Sequence, residues 1–130
     1  MSRQNKWHVF AQGVNYHLQD LGRPARFLIP SGKLAFPYED TTVEKYLRQF
    51  LARNFDAFTT TLIPNFGIWR NDRGKLLDDE CREFRVSFLG KERLPLLLEE
   101  LGKIASAINE ACIYVEAGQY AGLVYPKRKK

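Results

Sequence analysis

Residues 61–89, with the sequence TLIPNFGIWRNDRGKLLDDECREFRVSFL, contain two extended runs joined by the tetrapeptide NDRG at 71–74. Asn and Asp suit the early positions of a turn, and Gly supplies the positive φ at its end. In the second run apolar side chains alternate with polar ones and share one face, and they are Phe84, Val86 and Phe88. These residues predict a β-hairpin with one buried face.

An amphipathic helix is predicted on each side of this hairpin. Thr41 and Glu44 form a capping box, which predicts that the first helix begins there and ends near residue 55 or 58. The second helix is predicted to begin near Arg93, with Pro95 tolerated in the first turn. Apolar residues recur at helical spacing in both segments: Val43, Leu47, Phe50 and Leu51, then Leu94, Leu97, Leu98, Leu101, Ile104, Ala105 and Ile108.

Further strand candidates lie at 26–30, 112–115 and 122–125. The resulting order predicts an α+β fold, a ferredoxin-like split βαββαβ antiparallel sheet with two helices on one face. The other face of the sheet would be open or covered by a partner. We expect residues 1–24 to be an N-terminal extension packed on the body, either a small hairpin or an amphipathic helix. Residues 25–126 would be the ferredoxin-like domain, and 127–130 a basic tail.

The composition fits one globular domain, because 45% of the 130 residues are hydrophobic and 27% are charged. The net charge of +5 comes mostly from the tail Lys127, Arg128, Lys129 and Lys130, so the body is nearly neutral. Cys81 and Cys112 follow no metal-ligand spacing and are expected to be small buried apolar groups. Neither a signal pattern nor a long apolar run is present, which favours a cytoplasmic location.

The hairpin carries a short motif, Gly67-Ile68-Trp69-Arg70 followed by Gly74 and an acidic residue within 78–80. This pattern resembles a family of short bacterial domains of unknown function that carry a G-x-W-R turn, a glycine and an acid on a hairpin. The preceding strand, the glycine turn and the capped helix are similar as well, so the resemblance spans residues 27–125. It implies a ferredoxin-like fold and no particular activity.

The same hairpin holds the best candidate ligand or interface site. A turn centred on its two middle residues would place Trp69, Asn65, Glu80 and Arg82 on one face of the sheet and Arg70 on the other. An indole beside a guanidinium and a carboxylate can bind a planar or anionic ligand by stacking and paired hydrogen bonds. The alternative is a surface ladder of ion pairs beside an aromatic residue at the sheet edge.

Other candidate sites are weaker. A two-residue turn at Gln12-Gly13 would pair His8 with His17, which is a weak metal candidate because no further ligand is near in sequence. The tail 127–130 is a candidate site for a polyanion. No nucleophile elbow or phosphate-binding loop is present, so no catalytic residue and no cofactor is predicted.

These observations lead to three interpretations of function. The first is a non-enzymatic binding or regulatory domain that acts through association with another protein or with a copy of itself, because an uncovered sheet face favours a partner. The alternative is a nucleic-acid-binding protein that uses the basic tail and the sheet arginines. The third is a small dimeric enzyme with a pocket at the central hairpin. The first interpretation leans against an enzyme.

Overall fold

The computed structural model describes residues 9–89 and 92–127. In chain order its elements are β1 (Arg23–Pro30), β2 (Pro37–Tyr38), β3 (Thr41–Thr42), α1 (Val43–Asn54), β4 (Ala57–Thr60), β5 (Asn65–Arg70), β6 (Leu76–Phe88), α2 (Arg93–Ala107), β7 (Ile113–Ala117) and β8 (Tyr120–Val124).

Six of these strands form one antiparallel sheet in the order β4-β6-β1-β7-β8, with β5 also paired to β6. The second half of the long strand β6 lies between β4 and β1, whereas its first half pairs with β5. Strands β2 and β3 form a separate two-stranded ribbon. The predicted α+β class, with an antiparallel sheet and two helices, is therefore confirmed.

The main core lies between the two helices and one face of the sheet. From the sheet, Phe27 and Phe84 lie opposite each other and stack with their ring centroids 5.3 Å apart. From the helices, Leu47 and Leu101 are fully buried against them. Full burial of such a side chain contributes roughly 1.5–3 kcal/mol. The predicted apolar stripes and the alternation in β6 are both used to build this core.

The opposite side of the sheet, here called the far face, carries charged and aromatic side chains. Side chains alternate along a strand, so the residues that lie between the core positions of β1, β6 and β7 form this face: Arg26, Leu28, Glu83, Arg85, Tyr114 and Glu116. Along each strand, the charged residues of the far face thus alternate with the residues that build the core.

A buried carboxylate ties the small ribbon to both helices. Glu100 of α2 is 8% exposed, and it accepts hydrogen bonds from the hydroxyls of Tyr38 (2.7 Å) and Tyr46 (2.9 Å). Burial, and then the hydrogen bonds to Glu100, raise the pKa of both tyrosines, that of Tyr46 to about 12. The tyrosines stay protonated and can keep donating, which gives both buried carboxyl oxygens of Glu100 a partner.

The predicted start of the first helix is wrong by one residue. The N-cap is Thr42, whose side chain accepts a hydrogen bond from the Lys45 backbone N–H (3.3 Å), because Thr41 pairs with Tyr38 in the ribbon. Glu44 does not complete a capping box. Its carboxylate instead pairs with Arg82 of β6 at 2.7 Å.

Helix α1 also ends before residue 58, and the chain turns directly into β4, a strand that the sequence did not predict. The Asn54 side chain donates to the Phe50 carbonyl (2.8 Å), and the Asp56 backbone N–H donates to the Ser87 carbonyl (3.2 Å), which begins the pairing with β6. The predicted run 61–70 is correspondingly shorter, since residues 61–64 are irregular and include Pro64, which lacks a backbone donor.

In the N-terminal extension, one bridge closes a turn and pairs Gln12 with His17. The Gly13 backbone N–H donates to the Tyr16 carbonyl (3.1 Å), so the predicted two-residue turn at Gln12-Gly13 is wrong and a four-residue turn is formed. None of the helices within residues 9–89 and 92–127 is long and apolar enough to cross a membrane.

Candidate functional site

The hairpin formed by β5 and the first part of β6 projects beyond β1, and we call residues 65–80 the arm. The arm bends over the far face, and the Trp69 ring lies against that of Tyr114 in β7 at a centroid distance of 6.0 Å. At the arm's tip, the Asp72 backbone N–H donates to the Tyr125 hydroxyl at 2.8 Å. A right-handed twist accumulates along an extended two-stranded ribbon, and this brings its tip back over the sheet. The face expected to be open is therefore partly covered by the chain itself.

A groove of about 390 Å³ lies between the arm and the far face. Leu28, only 7% exposed, lies in its lining. The rest of the lining combines aromatic, apolar and polar groups: Arg26, Asn65, Phe66, Gly67, Ile68, Trp69 and Tyr114. Such a mixture of apolar walls with a few polar groups is typical of small-molecule sites.

Gly67 is required for the position of the Trp69 ring. A Cβ atom at Gly67 would lie 2.5 Å from Cζ3 and 3.1 Å from Cε3 of the indole, so the ring lies directly against the glycine. The indole Nε1 is buried and has no hydrogen-bond partner among the described residues, and the thiol of Cys112, a weak acceptor, lies near it. The G-x-W spacing thus has a local physical reason, since glycine leaves room for the indole two residues later.

An ion cluster centred on Arg26 forms the charged end of the groove. The Arg26 guanidinium pairs with Glu83 through Nη1 and with Glu116 through Nη2 at 2.8 Å. The Tyr114 hydroxyl also donates to Glu116 at 2.6 Å. The bonds from Arg26, and then from Tyr114, lower the pKa of the Glu116 carboxyl to about 2, and the same carboxylate raises the pKa of Arg26. Arg26 and Glu116 therefore keep their charges at any ordinary pH.

Both cysteines are buried and unpaired, as predicted. Burial raises the pKa of the Cys81 thiol to about 12, and it raises the pKa of Cys112 as well. A nucleophilic cysteine needs a thiolate. These buried thiols therefore pack beneath the arm as small apolar groups and are not nucleophiles.

The structure brings only part of the predicted hairpin site together. Arg70 lies opposite Leu76, which shifts the pairing by one residue from the predicted register, because the connection spans residues 71–75. Trp69 and Asn65 line the groove, and Asn65 Nδ2 donates to Glu83 at 3.3 Å. The other three predicted residues lie on the opposite face of the arm or of β6, namely Arg70, Glu80 and Arg82.

Two of these three residues have partners elsewhere. Arg70 donates to the Gly74 carbonyl within the turn at 2.6 Å, and Arg82 pairs with Glu44 of α1. Glu80 is exposed beside Phe66. The prediction that Glu80 and Arg82 share a face with Trp69 is wrong, since a slip of one residue moves every side chain of a strand to the other face. Arg70 lies on the face away from Trp69, as predicted.

Sequence reasoning missed Arg26 and Tyr114, which line the groove, and Glu83 and Glu116, which pair with Arg26 at its end. A signal did exist, because charged residues stand within strands that are otherwise rich in buried apolar side chains. Such a residue needs a partner on its own face of the sheet, but only the strand order tells which residue that partner is.

The remaining predicted sites are not brought into this groove. The His17 ring Nδ1 accepts a hydrogen bond from the Gln12 side-chain amide at 2.8 Å, and His8 lies outside the described residues. In the tail, Lys127 is exposed, whereas Arg128, Lys129 and Lys130 also lie outside the described residues.

Two solved structures share this fold. One is a phage SAM lyase in complex with S-methyl-5′-thioadenosine, with a TM-score of 0.56, 14% identity, and coverage of 91% of this chain and 100% of the lyase chain. The other is a phage SAM lyase in its apo state, with a TM-score of 0.53, 14% identity, and coverage of 88% of this chain and all of the other. At this identity the likeness establishes a common fold. No protein-family model and no curated protein sequence matches the chain.

These comparisons contradict the leading interpretation from the sequence, a non-enzymatic binding or regulatory domain. Both structures that share the fold are of an enzyme. The physical argument for that interpretation is also weakened, because it rested on an uncovered sheet face, and the arm covers part of that face through Trp69 and Asp72.

Proposed function

We propose that the chain is an enzyme that binds S-adenosylmethionine in the groove and cleaves it to S-methyl-5′-thioadenosine. The observation that carries the proposal is the groove itself, found in a fold that it shares with a phage SAM lyase over the whole length of the lyase chain. The groove offers, in one place, the aromatic and charged groups that an adenosyl sulfonium needs.

The aromatic wall suits the adenosine part of this substrate. Trp69 and Tyr114 present ring faces tilted by 30° to each other, and a purine stacked on an aromatic side chain gains about 1–3 kcal/mol. The opening of about 390 Å³ lies within the range of ligand pockets.

The charged end suits the sulfonium. Glu116 is held ionised beside Arg26, and Glu83 pairs with the same guanidinium. Electron-rich rings and carboxylates both favour a nearby cation. S-methyl-5′-thioadenosine retains the methyl and the adenosyl group on sulfur, so the bond that breaks joins sulfur to the amino-acid side chain. The sulfur departs as a neutral thioether with the bonding pair, and the substrate's own α-carboxylate forms the new bond to the γ-carbon, which closes a five-membered lactone. No proton passes to or from the protein in this step. The task of the site is therefore to bind and orient the substrate.

The test is the release of S-methyl-5′-thioadenosine from S-adenosylmethionine, followed by reversed-phase chromatography against a protein-free blank. We expect the wild type to form the product and Trp69→Ala to lower the rate at least about tenfold, because the stacking surface is lost. Tyr120→Ala is the matched control, since Tyr120 is 80% exposed and lies outside the groove. Absence of product, together with no binding of either compound in calorimetry, would refute the proposal.

Two finer points accompany this proposal. The strand order β4-β6-β1-β7 with its two connecting helices supports the ferredoxin-like arrangement predicted from the sequence. The predicted homo-oligomer is supported by exposed apolar side chains outside the groove lining, namely Leu62, Ile63 and Leu76. Light scattering on the purified protein tests the second point.

A further inference from the structure

A second concavity, of about 220 Å³, lies next to Arg26 and is here called the hollow. Its lining residues are Pro24, Ala25, Arg26, Arg85, Glu116 and Gly118. The groove extends from Arg26 toward Leu28, and the hollow extends from Arg26 toward Pro24, so the two lie on opposite sides of one guanidinium. A ligand that passes Arg26 reaches both.

The hollow contains an unfavourable pairing of like charges. Arg26 of β1 and Arg85 of β6 are direct cross-strand partners, and like charges in that position destabilise a sheet. Glu83 offsets part of this repulsion, because one of its oxygens pairs with Arg26 and the other with Arg85 Nη2 at 3.3 Å. Two guanidiniums and two carboxylates, those of Glu83 and Glu116, thus meet around the hollow.

Arg85 retains unused donors. Both terminal nitrogens of Arg26 are engaged by carboxylates, whereas Arg85 makes a single ion pair within the described part of the chain and its side chain is 55% exposed. A guanidinium has five N–H donors in a planar fork that fits a carboxylate. At least two of them therefore remain for a ligand.

Glu116 retains an unused acceptor on the same hollow. Its Oε2 accepts from Arg26 and from the Tyr114 hydroxyl, and for Oε1 no donor is found among residues 9–89 and 92–127. A free guanidinium edge and a free carboxylate oxygen thus line one small concavity. Opposite charges so placed match a zwitterion.

We propose that the hollow is the subsite for the α-amino-acid end of the substrate, with Arg85 holding the carboxylate and Glu116 holding the ammonium group. This inference rests on the proposed function. The adenosyl group lies in the groove, the amino-acid end lies in the hollow, and the sulfur lies between them beside Arg26. Arg85 is then a specificity-determining residue for the length and charge of the substrate.

Calorimetry with two neutral thioethers tests this assignment, since S-adenosyl-L-homocysteine carries the amino-acid end and S-methyl-5′-thioadenosine lacks it. Loss of a charge-assisted pair in Arg85→Gln should lower the affinity for S-adenosyl-L-homocysteine about tenfold to hundredfold. It should change the affinity for S-methyl-5′-thioadenosine less than about twofold. Arg73→Gln, at an exposed position in the turn of the arm, is the control and should affect neither ligand.

Unchanged binding of S-adenosyl-L-homocysteine to Arg85→Gln, or an equal loss of both ligands, would overturn the subsite while the proposed function stands. A wild type that binds neither ligand would overturn both. Arg85→Lys keeps the charge but not the fork, so it should show a smaller loss confined to S-adenosyl-L-homocysteine. Thermal unfolding of each variant checks that the variant is folded at the temperature of the binding measurement.

Discussion

Replacement of Gly67 by alanine tests how the groove wall is built. The new Cβ would lie 2.5 Å from Trp69 Cζ3, whereas ordinary contact begins at 3.4 Å, so the indole has to move away by roughly 1 Å. The ring then separates from Tyr114, and an aromatic pair of this kind contributes about 0.5–1.5 kcal/mol.

The two readouts of this substitution should respond differently. Alanine lowers the conformational entropy of the unfolded chain, which stabilises the folded protein by about 0.4–1 kcal/mol. The free energy of unfolding should therefore fall by no more than about 1 kcal/mol. Ligand binding has no such compensation, because the stacking surface itself moves. The affinity for S-methyl-5′-thioadenosine should fall about fivefold to hundredfold, which corresponds to a loss of about 1–3 kcal/mol of stacking.

The assay combines calorimetry with tryptophan fluorescence in a Trp7→Phe background, where Trp69 is the sole tryptophan. Acrylamide should quench Trp69 more strongly in Gly67→Ala than in the parent protein. Gly102→Ala is the control, because nothing lies within 4 Å of its Cβ and the change lies within α2. It should stabilise the protein by about 0.5–1 kcal/mol and leave binding unchanged. Equal quenching and equal affinity in Gly67→Ala and its parent would refute the reasoning.

Two further predictions concern the charged groups. In Arg26→Met, the pKa of Glu116 should rise from about 2 toward its ordinary value of 4.5, because the first of its two hydrogen-bond donors is lost, and carboxyl NMR titration measures this. Because the pKa is lowered in the wild type, Glu116 contributes stability above pH 4.5, and this contribution is lost as the pH falls toward 2. A pKa of Glu116 that stays near 2 in Arg26→Met would argue against the ion cluster. Tyr38→Phe should cost about 1–3 kcal/mol in urea unfolding, because it removes one of two donors to the buried Glu100, and Tyr16→Phe, at an exposed site, should cost little by comparison.

Local patterns in the sequence determined the helices and the core faces. The stripes from Val43 to Leu51 and from Leu97 to Ile104 identify helices because helical periodicity places their apolar side chains on one side. The alternation of Phe84, Val86 and Phe88 likewise identifies the buried face of β6. These features depend on residues a few positions apart, which a single sequence records.

Only the tertiary structure decided the site. Glu83 and Glu116 lie 57 and 90 positions after Arg26 along the chain. The three side chains meet because β1 lies between β6 and β7. The register of the arm depended on a turn one residue longer than predicted, which moved Arg82 and Glu80 away from Trp69. The covering of the far face came from the bend of the arm, since the contact of Trp69 with Tyr114 depends on strand twist and on packing between distant strands.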